Sequence, residues 1–372
     1  MKFKLKQVLK MFIQHIVYPF IYFINKWKKV DTNLVMLADA HHETCPPHMQ
    51  EIKRKLIEEK YEVREFFRDV NKLGSIKSFI SLAGFMSIYP KCGTVIICDN
   101  FLPVASCKKK KTTKVIQLWH GCGAFKKFGY DAEDDIPKSY KGNVYKNYDL
   151  ITVSGPACVP FFESAMKQKG VVKALGVCHT DRLYDAEYVK QCKDNFIKNY
   201  PEAAGKKVVL WTPTFRGNAS DGKLFGETEI DAVSALEEFS EYYFIKSIHP
   251  HLKKKIGGNT EKTDVGTEQL ICCADILITD YSSVFFETLL MDIPIIFFAP
   301  DYEVYASERG FYLEYEELPG VVAKNTEELK RAFEDINIEK YKDIRTTFIE
   351  KYMQNCDGKV CDRVTEFIAG GH

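Results

Sequence analysis

The chain has 372 residues, which is long for one hydrophobic core and sufficient for two domains. Its 45% apolar and 28% charged residues are typical of a globular protein, and a net charge of +1 gives no overall field that would attract nucleic acid. The twelve cysteines are scattered and form no CxxC pair, which favours free thiols in a reducing compartment and argues against a structural zinc site.

Residues 1–30 form a basic, aromatic segment that contains no acidic residue. Its apolar stretch is interrupted by Gln14, His15 and Pro19, so it falls short of the roughly 20 apolar residues that a membrane span needs. No small-residue cleavage site follows, which argues against a secretory signal peptide. The pattern predicts an amphipathic segment on an anionic membrane surface. A helix packed on its own domain and a single-pass anchor are the alternatives.

From Asn33 onward, apolar runs that predict strands alternate with patterns that predict helices. In the first half the predicted strands are 34–38, 61–67, 94–98, 115–119, 150–153 and 171–175. The predicted helices there are 49–59, with Ile52, Leu56 and Ile57 on one face, 75–87 and 186–199. A composition shift near Tyr200 marks a domain boundary. The second half repeats the pattern, with strands 207–211, 241–248, 276–279 and 293–298 and helices 229–240, 283–291 and 327–335.

This alternation predicts an α/β protein with two doubly wound, Rossmann-like domains that face a cleft. The expected ranges are an amphipathic membrane-association segment at 1–30, an N-terminal domain at 31–200, a C-terminal domain at 201–355 and a tail at 356–372. Ligands in such sheets bind at the carboxyl ends of the strands. The polar residues that follow each strand are therefore the candidate site residues.

His120 follows the predicted strand at 115–119 and is succeeded by Gly121 and Gly123. Glycines at a strand end allow the backbone to approach a ligand closely. Histidine is the side chain best suited to proton transfer near neutral pH. The alternative is a buried histidine with a structural role. The glycines and the position at a strand end favour a functional histidine.

Two more candidates follow strands in the second half. His249 follows the strand at 241–248 and is predicted to donate a hydrogen bond to a phosphate, although it could simply cap the loop, as we interpret His251. Arg216 follows the strand at 207–211 and offers a planar donor fork suited to phosphate. A surface or interdomain salt bridge is an equally good interpretation of Arg216.

The stretch 275–283 runs from a buried strand into a polar turn and then directly into an apolar helix. Its turn places the hydroxyls of Ser282 and Ser283 and unpaired N–H groups at a helix N-terminus, which suits a diphosphate. A plain serine N-cap is the alternative. Asp280 could bind a metal, but no second carboxylate lies beside it in the sequence. Glu287 could accept hydrogen bonds from ribose hydroxyls, or be a first-turn acid favoured by the helix dipole.

In their order and spacing these motifs resemble those of the CDP-glycerol glycerophosphotransferase family, the primases and polymerases of teichoic acid synthesis. The resemblance covers about residues 30–355. The segments that carry it are 119–121 (WHG), 176–183 (GVCHTDRL), 211–216 (WTPTFR), 249–250 (HP), 275–283 (DILITDYSS) and several short matches within 294–320.

The resemblance implies a glycosyltransferase-B-like fold and a glycerophosphotransferase. Such an enzyme moves glycerol phosphate from CDP-glycerol to a lipid-linked, teichoic-acid-type acceptor at the cytoplasmic face of the cell membrane and releases CMP. The resemblance also implies that no cofactor and no catalytic metal are needed. By the same resemblance His120 and His249 are the essential histidines. The donor side then comprises Arg216, Asp280, Ser282, Ser283 and Glu287, and the acceptor side Gly121, Asp181 and Arg182.

Two motifs depart from the family pattern. Residues 119–126 read WHGCGAFK where many members read Trp-His-Gly-Thr-Pro-Leu-Lys, and residues 176–181 read GVCHTD in place of Gly-x-Pro-Arg-x-Asp. Both lie in the predicted acceptor domain. Three alternatives to the glycerol-transferring enzyme stay open: a CDP-ribitol-dependent enzyme, a sugar-nucleotide glycosyltransferase of the same fold, and a non-catalytic membrane scaffold. The sequence predicts no oligomeric state.

Overall fold

The computed structural model describes residues 8–9, 11–73, 75–132, 135–136, 140, 142–214, 216, 227–247 and 265–370. The chain divides into two compact units. The first unit comprises Met1–His120, Lys138–Asp181 and Asn355–His372, and the second comprises Gly121–Pro137 and Arg182–Gln354. This division differs from the predicted boundary at residue 200, because the helix that ends at Asn199 packs within the second unit. Hydrophobic periodicity predicts a helix but does not tell which sheet that helix covers.

A six-stranded parallel sheet forms the centre of the first unit. Its strands are β1 Asp31–Asp39, β2 Glu62–Phe67, β3 Cys92–Ile97, β4 Lys114–Gln117, β5 Leu150–Thr152 and β6 Val172–Lys173. They lie in the order β2-β1-β3-β4-β5-β6. All of β3, and β1 from Leu34 onward, are buried, as expected for parallel strands covered on both faces. The strand order reverses between β1 and β3, which is where doubly wound sheets bind ligands.

Helices pack along this sheet, and the two predicted at 49–59 and 75–87 are found at Pro47–Glu58 and Ser75–Ile88. They are α1 Tyr18–Ile24, preceded by a π-helical turn at Ile13–Val17, α2 Pro47–Glu58, α3 Val70–Leu73, α4 Ser75–Ile88, α5 Leu102–Ala105 and α6 Val159–Met166. Helix α2 buries Met49, Ile52 and Leu56, but Ile57 is 54% exposed. The prediction that Ile57 shares the buried face was wrong, because consecutive residues of an α-helix point about 100° apart.

The second unit contains a five-stranded parallel sheet. Its strands are β7 Lys207–Thr212, β8 Tyr242–Lys246, β9 Ile276–Thr279, β10 Ile295–Phe298 and β11 Val321–Ala323, in the order β11-β10-β9-β7-β8. Its helices are α7 Ala186–Asn199, α8 Glu227–Ala235, α9 Thr267–Ile271, α10 Val284–Leu290, α11 Tyr302–Arg309, α12 Thr326–Glu334 and α13 Lys342–Tyr352. The strand order reverses between β7 and β9, so the second switch point lies at their carboxyl ends.

The range predicted as a C-terminal tail contains a helix, α14 Val360–Ala369, which packs on α2 in the first unit. Asp181 accepts hydrogen bonds from the N–H groups of Val360 and Cys361 at 3.0 and 2.8 Å. At the other end, the buried ammonium of Lys114 donates to the carbonyls of Phe367 and Ile368 at 2.8 and 2.9 Å, and also to that of Gly370. Side chains of the first unit therefore satisfy backbone groups at both ends of α14.

Within the described residues, none of the helices combines the length and the apolarity that crossing a lipid bilayer requires. The apolar stretch near the N-terminus is shared between the π-helical turn and α1, and α1 itself has 7 residues.

Replacing Lys114 by methionine should destabilise the first unit. Methionine preserves most of the side-chain volume but removes the donor that serves three carbonyls at the end of α14. We expect the free energy of unfolding to fall by about 2 kcal/mol, because a charge-assisted buried hydrogen bond is lost. Urea denaturation followed by circular dichroism measures this, with the exposed Lys111→Met as control. Equal stability of the two variants would contradict the proposed capping role.

Candidate active site

The position of His120 is set by an unusual backbone conformation. β4 ends at Gln117, two residues before the predicted end, and Trp119 has a φ of 62°. Left-handed backbone is uncommon and strained in a residue other than glycine, and such strain occurs frequently at functional sites. The Trp119 indole stacks on the His120 ring with centroids 4.5 Å apart, and it meets Phe162 edge-on at 5.5 Å. These contacts restrict the orientation of the imidazole.

A hydrogen bond fixes the tautomer of His120. Its Nδ1 lies 3.2 Å from the carbonyl oxygen of Cys98, the residue that follows β3. Because a carbonyl can only accept a hydrogen bond, Nδ1 carries the proton in the neutral ring. Nε2 then has the lone pair, and the side chain is exposed. This arrangement is the one that a general base requires.

Two further imidazoles, which the sequence analysis did not select, lie beside His120. His48 is in the first turn of α2, and its ring centroid lies 6.2 Å from that of His120 and 5.0 Å from that of His179. His179 belongs to the 3-10 turn Cys178–Tyr184, which follows β6. Both positions follow strands, and His179 also lies within the motif 176–183, and these signals in the sequence could have indicated them.

The predicted acceptor-side residues Asp181 and Arg182 have separate roles. Asp181 belongs to the first unit, where its carboxylate binds the N-terminus of α14. Gly176 of the same motif has a φ of 97°, and a side chain there would overlap the Asn355 backbone. Arg182 belongs to the second unit, with its guanidinium 5.2 Å from the ring centroid of Tyr188. The motif therefore secures the C-terminal segment, while contact of its residues with an acceptor remains a prediction.

The loop that follows His120 belongs to the second unit and packs against α10. A Cβ on Gly121 would lie 3.4 Å from Oγ of Ser283, so these two predicted site residues are neighbours. Gly123 has a φ of 66°, and a Cβ there would overlap the Phe286 ring. Proline is held at a φ near −65°, so it cannot replace Gly123 in this conformation. Glycine at position 123 thus permits a loop conformation that the proline of the family pattern could not adopt.

Glu287, on α10, binds the backbone of the same loop. Its Oε1 accepts a hydrogen bond from the backbone N–H of Cys122 at 3.3 Å, and the side chain is buried. A buried carboxylate is stabilised by such a donor. Glu287 therefore holds the loop, and the predicted interaction with ribose hydroxyls remains untested. Ser282 and Ser283 are half-buried at the start of α10, where Oγ of Ser282 accepts from the N–H of Val284 at 3.4 Å.

Arg216 is the centre of a charge network at the switch point of the second unit. Its guanidinium donates to Asp280 at 2.8 Å, to both carboxylate oxygens of Asp301 at 2.6 and 3.0 Å, and to the carbonyl of Thr214 at 2.6 Å. Asp280 also accepts from the N–H groups of Thr214 and Tyr281. Through these hydrogen bonds Arg216 joins the end of β7 to the end of β9. Its predicted contact with a diphosphate is not tested by this arrangement.

The charges of this network stabilise one another. Burial opposes the charge of Arg216, but Asp280 and Asp301 outweigh it and raise the pKa of the guanidinium. Burial acts to raise the pKa of Asp301, yet hydrogen bonds from Arg216 and Tyr281 hold that pKa below its ordinary value of 3.8. Because the folded pKa is depressed, Asp301 contributes stability above pH 3.8, and this contribution is lost as the pH falls through the folded pKa.

Lys126, in the loop after His120, is a further candidate that the sequence analysis quoted without assigning a role. Burial lowers the pKa of Lys126 to about 8, although Asp280 acts in the opposite direction. Its backbone pairs with Phe311 in an antiparallel bridge, which fixes the position of the loop. An ammonium close to a switch point can bind an anion and exchange a proton near neutral pH. His249 and His251 lie outside the described residues.

The two doubly wound units have the glycosyltransferase-B-like fold predicted from the sequence. The structure of the wall teichoic acid polymerase TagF matches with a TM-score of 0.75 and 17% identity, over 98% of this chain and 96% of that chain. A UDP-GlcNAc 2-epimerase from Methanocaldococcus jannaschii matches with a TM-score of 0.56 and 14% identity, over 90% of this chain and 99% of that chain. At these identities the likeness concerns the fold alone.

The family model for CDP-Glycerol:Poly(glycerophosphate) glycerophosphotransferase matches residues 20–370, and the chain belongs to this family of transferases. The resemblance noted in the sequence is thereby confirmed. The chain is 33% identical to the teichoic acid ribitol-phosphate primase of Bacillus spizizenii, over 91% of this chain and 92% of the relative. It is 28% identical to the poly(ribitol-phosphate) polymerase of that organism, over 95% of this chain and 58% of that relative. It is 31% identical to the glycerol-phosphate primase of Bacillus subtilis, over 74% of this chain and 73% of that relative.

Removing the guanidinium of Arg216 should destabilise the protein whether or not a ligand is present. Arg216→Ala leaves the buried carboxylate of Asp280 without its cation, and we expect the free energy of unfolding to fall by about 3 kcal/mol. The control is Arg331→Ala, an exposed arginine on α12, whose loss should change stability by no more than about 0.5 kcal/mol. Urea denaturation of the ligand-free variants measures both effects. An unchanged midpoint for Arg216→Ala would contradict the structural role of the network.

Proposed function

We propose that the protein transfers a polyol phosphate from a CDP-activated polyol to a lipid-linked, teichoic-acid-type acceptor. The observation that carries this proposal is the exposed His120 imidazole, whose Nδ1 is bound to the Cys98 carbonyl and whose Nε2 can accept a proton. Membership of the CDP-glycerol glycerophosphotransferase family supports the same reaction.

In the proposed reaction an acceptor hydroxyl gives its proton to Nε2 of His120 as its oxygen attacks the β-phosphorus of the CDP-polyol. A new phosphodiester bond forms, the diphosphate bond breaks, and CMP leaves with the electron pair of that bond. Such transfers depend mainly on positioning and on stabilisation of charge. We assign binding of the CDP-polyol diphosphate to Ser282, Ser283 and Lys126 in the second unit, with His249 as a further hydrogen-bond donor to it. The proposed reaction uses no cofactor.

We propose ribitol as the transferred polyol. A relative named as a ribitol-phosphate primase matches this chain almost from end to end at 33% identity. Glycerol, which the sequence analysis expected, is the second candidate, because relatives named as glycerol-phosphate primases also match, one at 31% identity.

The reaction is tested by CMP release from CDP-ribitol and from CDP-glycerol, each with and without a lipid-linked disaccharide that carries a glycerol phosphate. We expect acceptor-dependent release with CDP-ribitol. His120→Gln should lower kcat by about 10²- to 10⁴-fold, because general base catalysis is lost. The matched control is His42→Gln, since His42 is already paired with Asp39 at 2.8 Å. Acceptor-dependent CMP release with CDP-glycerol and not with CDP-ribitol would identify glycerol as the transferred polyol. No CMP release with any pairing of CDP-polyol and acceptor would contradict the proposed reaction.

We also propose that the first unit binds the cytoplasmic surface of the membrane through an apolar face on its N-terminal helical segment. Supporting this, large apolar side chains at helical spacing are exposed, namely Val8, Leu9, Phe12, Ile16, Phe20, Phe23 and Trp27. Tyr18 and Tyr22, on the opposite face, are buried, and the Tyr18 ring packs on Phe79 of α4. Helix α4 adds the exposed Ile76 and Ile80.

The basic residues around this apolar face also indicate an anionic membrane surface as its partner. The exposed Lys26, Lys29 and Lys77 adjoin this apolar face, and the first thirty residues contain no acid. Lysines beside an exposed aromatic face suit the anionic headgroups of a bilayer, while the aromatic rings enter its interfacial region.

The membrane proposal is tested by sedimentation with vesicles that contain phosphatidylglycerol. Phe20→Asp/Phe23→Asp should reduce the bound fraction at least about tenfold, because two rings lose apolar burial and two negative charges face the lipid. Ile57→Asp, at an exposed isoleucine on α2, is the matched control and should bind like the wild type. Equal sedimentation of all three proteins would contradict the membrane role of this face.

A further inference from the structure

Three imidazoles gather on the first unit, and each comes from a different element. His48 lies at the start of α2, His120 follows β4, and His179 lies in the turn after β6. His48 is the middle member, with ring centroids 6.2 Å from His120 and 5.0 Å from His179. His120 is exposed and the other two are half-buried. We refer to these three residues as the histidine cluster.

The histidine cluster lies where a doubly wound sheet binds ligands. The strand order of the first unit reverses between β1 and β3, and His120 is hydrogen-bonded to Cys98 directly after β3. Helix α2 begins here with Pro46 as its N-cap residue, and its first turn contains no acidic side chain. The positive end of the α2 dipole and the N–H groups of the imidazoles therefore favour the same kind of ligand, an anion.

We propose that His48 and His179, beside His120, bind a phosphate group of the acceptor. The proposal rests on the polyol-phosphate transfer proposed above. A general base must lie within hydrogen-bonding reach of the hydroxyl that it deprotonates, so the acceptor occupies the space next to His120. The remainder of the acceptor then lies over the other two rings, where a phosphate of its polyol phosphate or of its lipid linkage meets their N–H groups. Imidazolium donors form charge-assisted hydrogen bonds to phosphate oxygens.

The donor diphosphate is assigned elsewhere, because its proposed ligands Ser282, Ser283 and Lys126 belong to the second unit. The two substrates therefore depend on different side chains. Loss of His48 or His179 should weaken binding of the acceptor and leave binding of the CDP-polyol unchanged. A role in folding alone would not separate the two substrates in this way.

Kinetics of the full-length protein test the assignment. His48→Gln and His179→Gln should each raise the KM for the acceptor by about tenfold, which corresponds to loss of one charge-assisted hydrogen bond, with the KM for the CDP-polyol unchanged. His48→Lys should retain an acceptor KM near that of the wild type, because an ammonium replaces the imidazolium. His42→Gln is the matched control. An unchanged acceptor KM in the His48→Gln/His179→Gln double variant, or an equal rise for His48→Lys and His48→Gln, would overturn the proposal.

A binding measurement separates this proposal from the proposed function. Calorimetry with glycerol 1-phosphate, and with inorganic phosphate in a parallel titration, needs no turnover. We expect glycerol 1-phosphate to bind the wild type and His42→Gln, and to bind the double variant at least about tenfold more weakly. Equal affinities of the wild type for the two probes would overturn the assignment to an acceptor. If CMP release fails but this pattern holds, the polyol-phosphate transfer is refuted while the phosphate site stands.

Discussion

The second unit depends on the ion network around Arg216. A buried carboxylate is costly unless a cation and hydrogen-bond donors compensate it, and one guanidinium here serves both Asp280 and Asp301. Asp301 is the N-cap residue of α11, yet its carboxylate binds Arg216 and the Tyr281 hydroxyl instead of the N–H groups of that helix. The network thus joins the end of β7, the end of β9 and the start of α11 at one point.

The position of the Ser282–Ser283 turn depends on this network. Tyr281 precedes the turn, stacks on Tyr305 with ring centroids 3.9 Å apart, and lies beneath the Arg216 guanidinium at 4.9 Å. Tyr281 is held by these two contacts and by the hydrogen bond from its hydroxyl to Asp301, which leaves the next residues little conformational freedom. The serine hydroxyls are therefore pre-organised by residues that need not touch a ligand. In this view Arg216 supports the diphosphate site proposed here by holding Tyr281 in place.

Several motif residues hold the structure at positions where a ligand contact was expected. Asp181 binds the first N–H groups of α14, and Glu287 binds the N–H of Cys122. Gly123 permits the loop to cross the Phe286 ring. Their common feature is that each fixes a loop next to a strand end. Parallel sheets place all such loops at one edge, so a residue that shapes the loop and a residue that binds the ligand have the same sequence signature.

The sequence by itself determined most strands of the two parallel sheets, several of their helices and the family, whereas β11 and helices such as α6, α11 and α13 were not predicted. Buried apolar runs and helical periodicity are local properties, and the strand 276–279 and the helix 186–199 were predicted to the residue. The sequence also indicated His120, because a histidine between a strand and glycines is a local pattern. The return of α14 to the first unit, the pairing of Arg216 with two distant carboxylates and the proximity of His48 and His179 to His120 were decided only by the tertiary structure. Each of these features joins residues far apart in the chain, and their mutual distances depend on how strands and helices pack rather than on any short-range pattern.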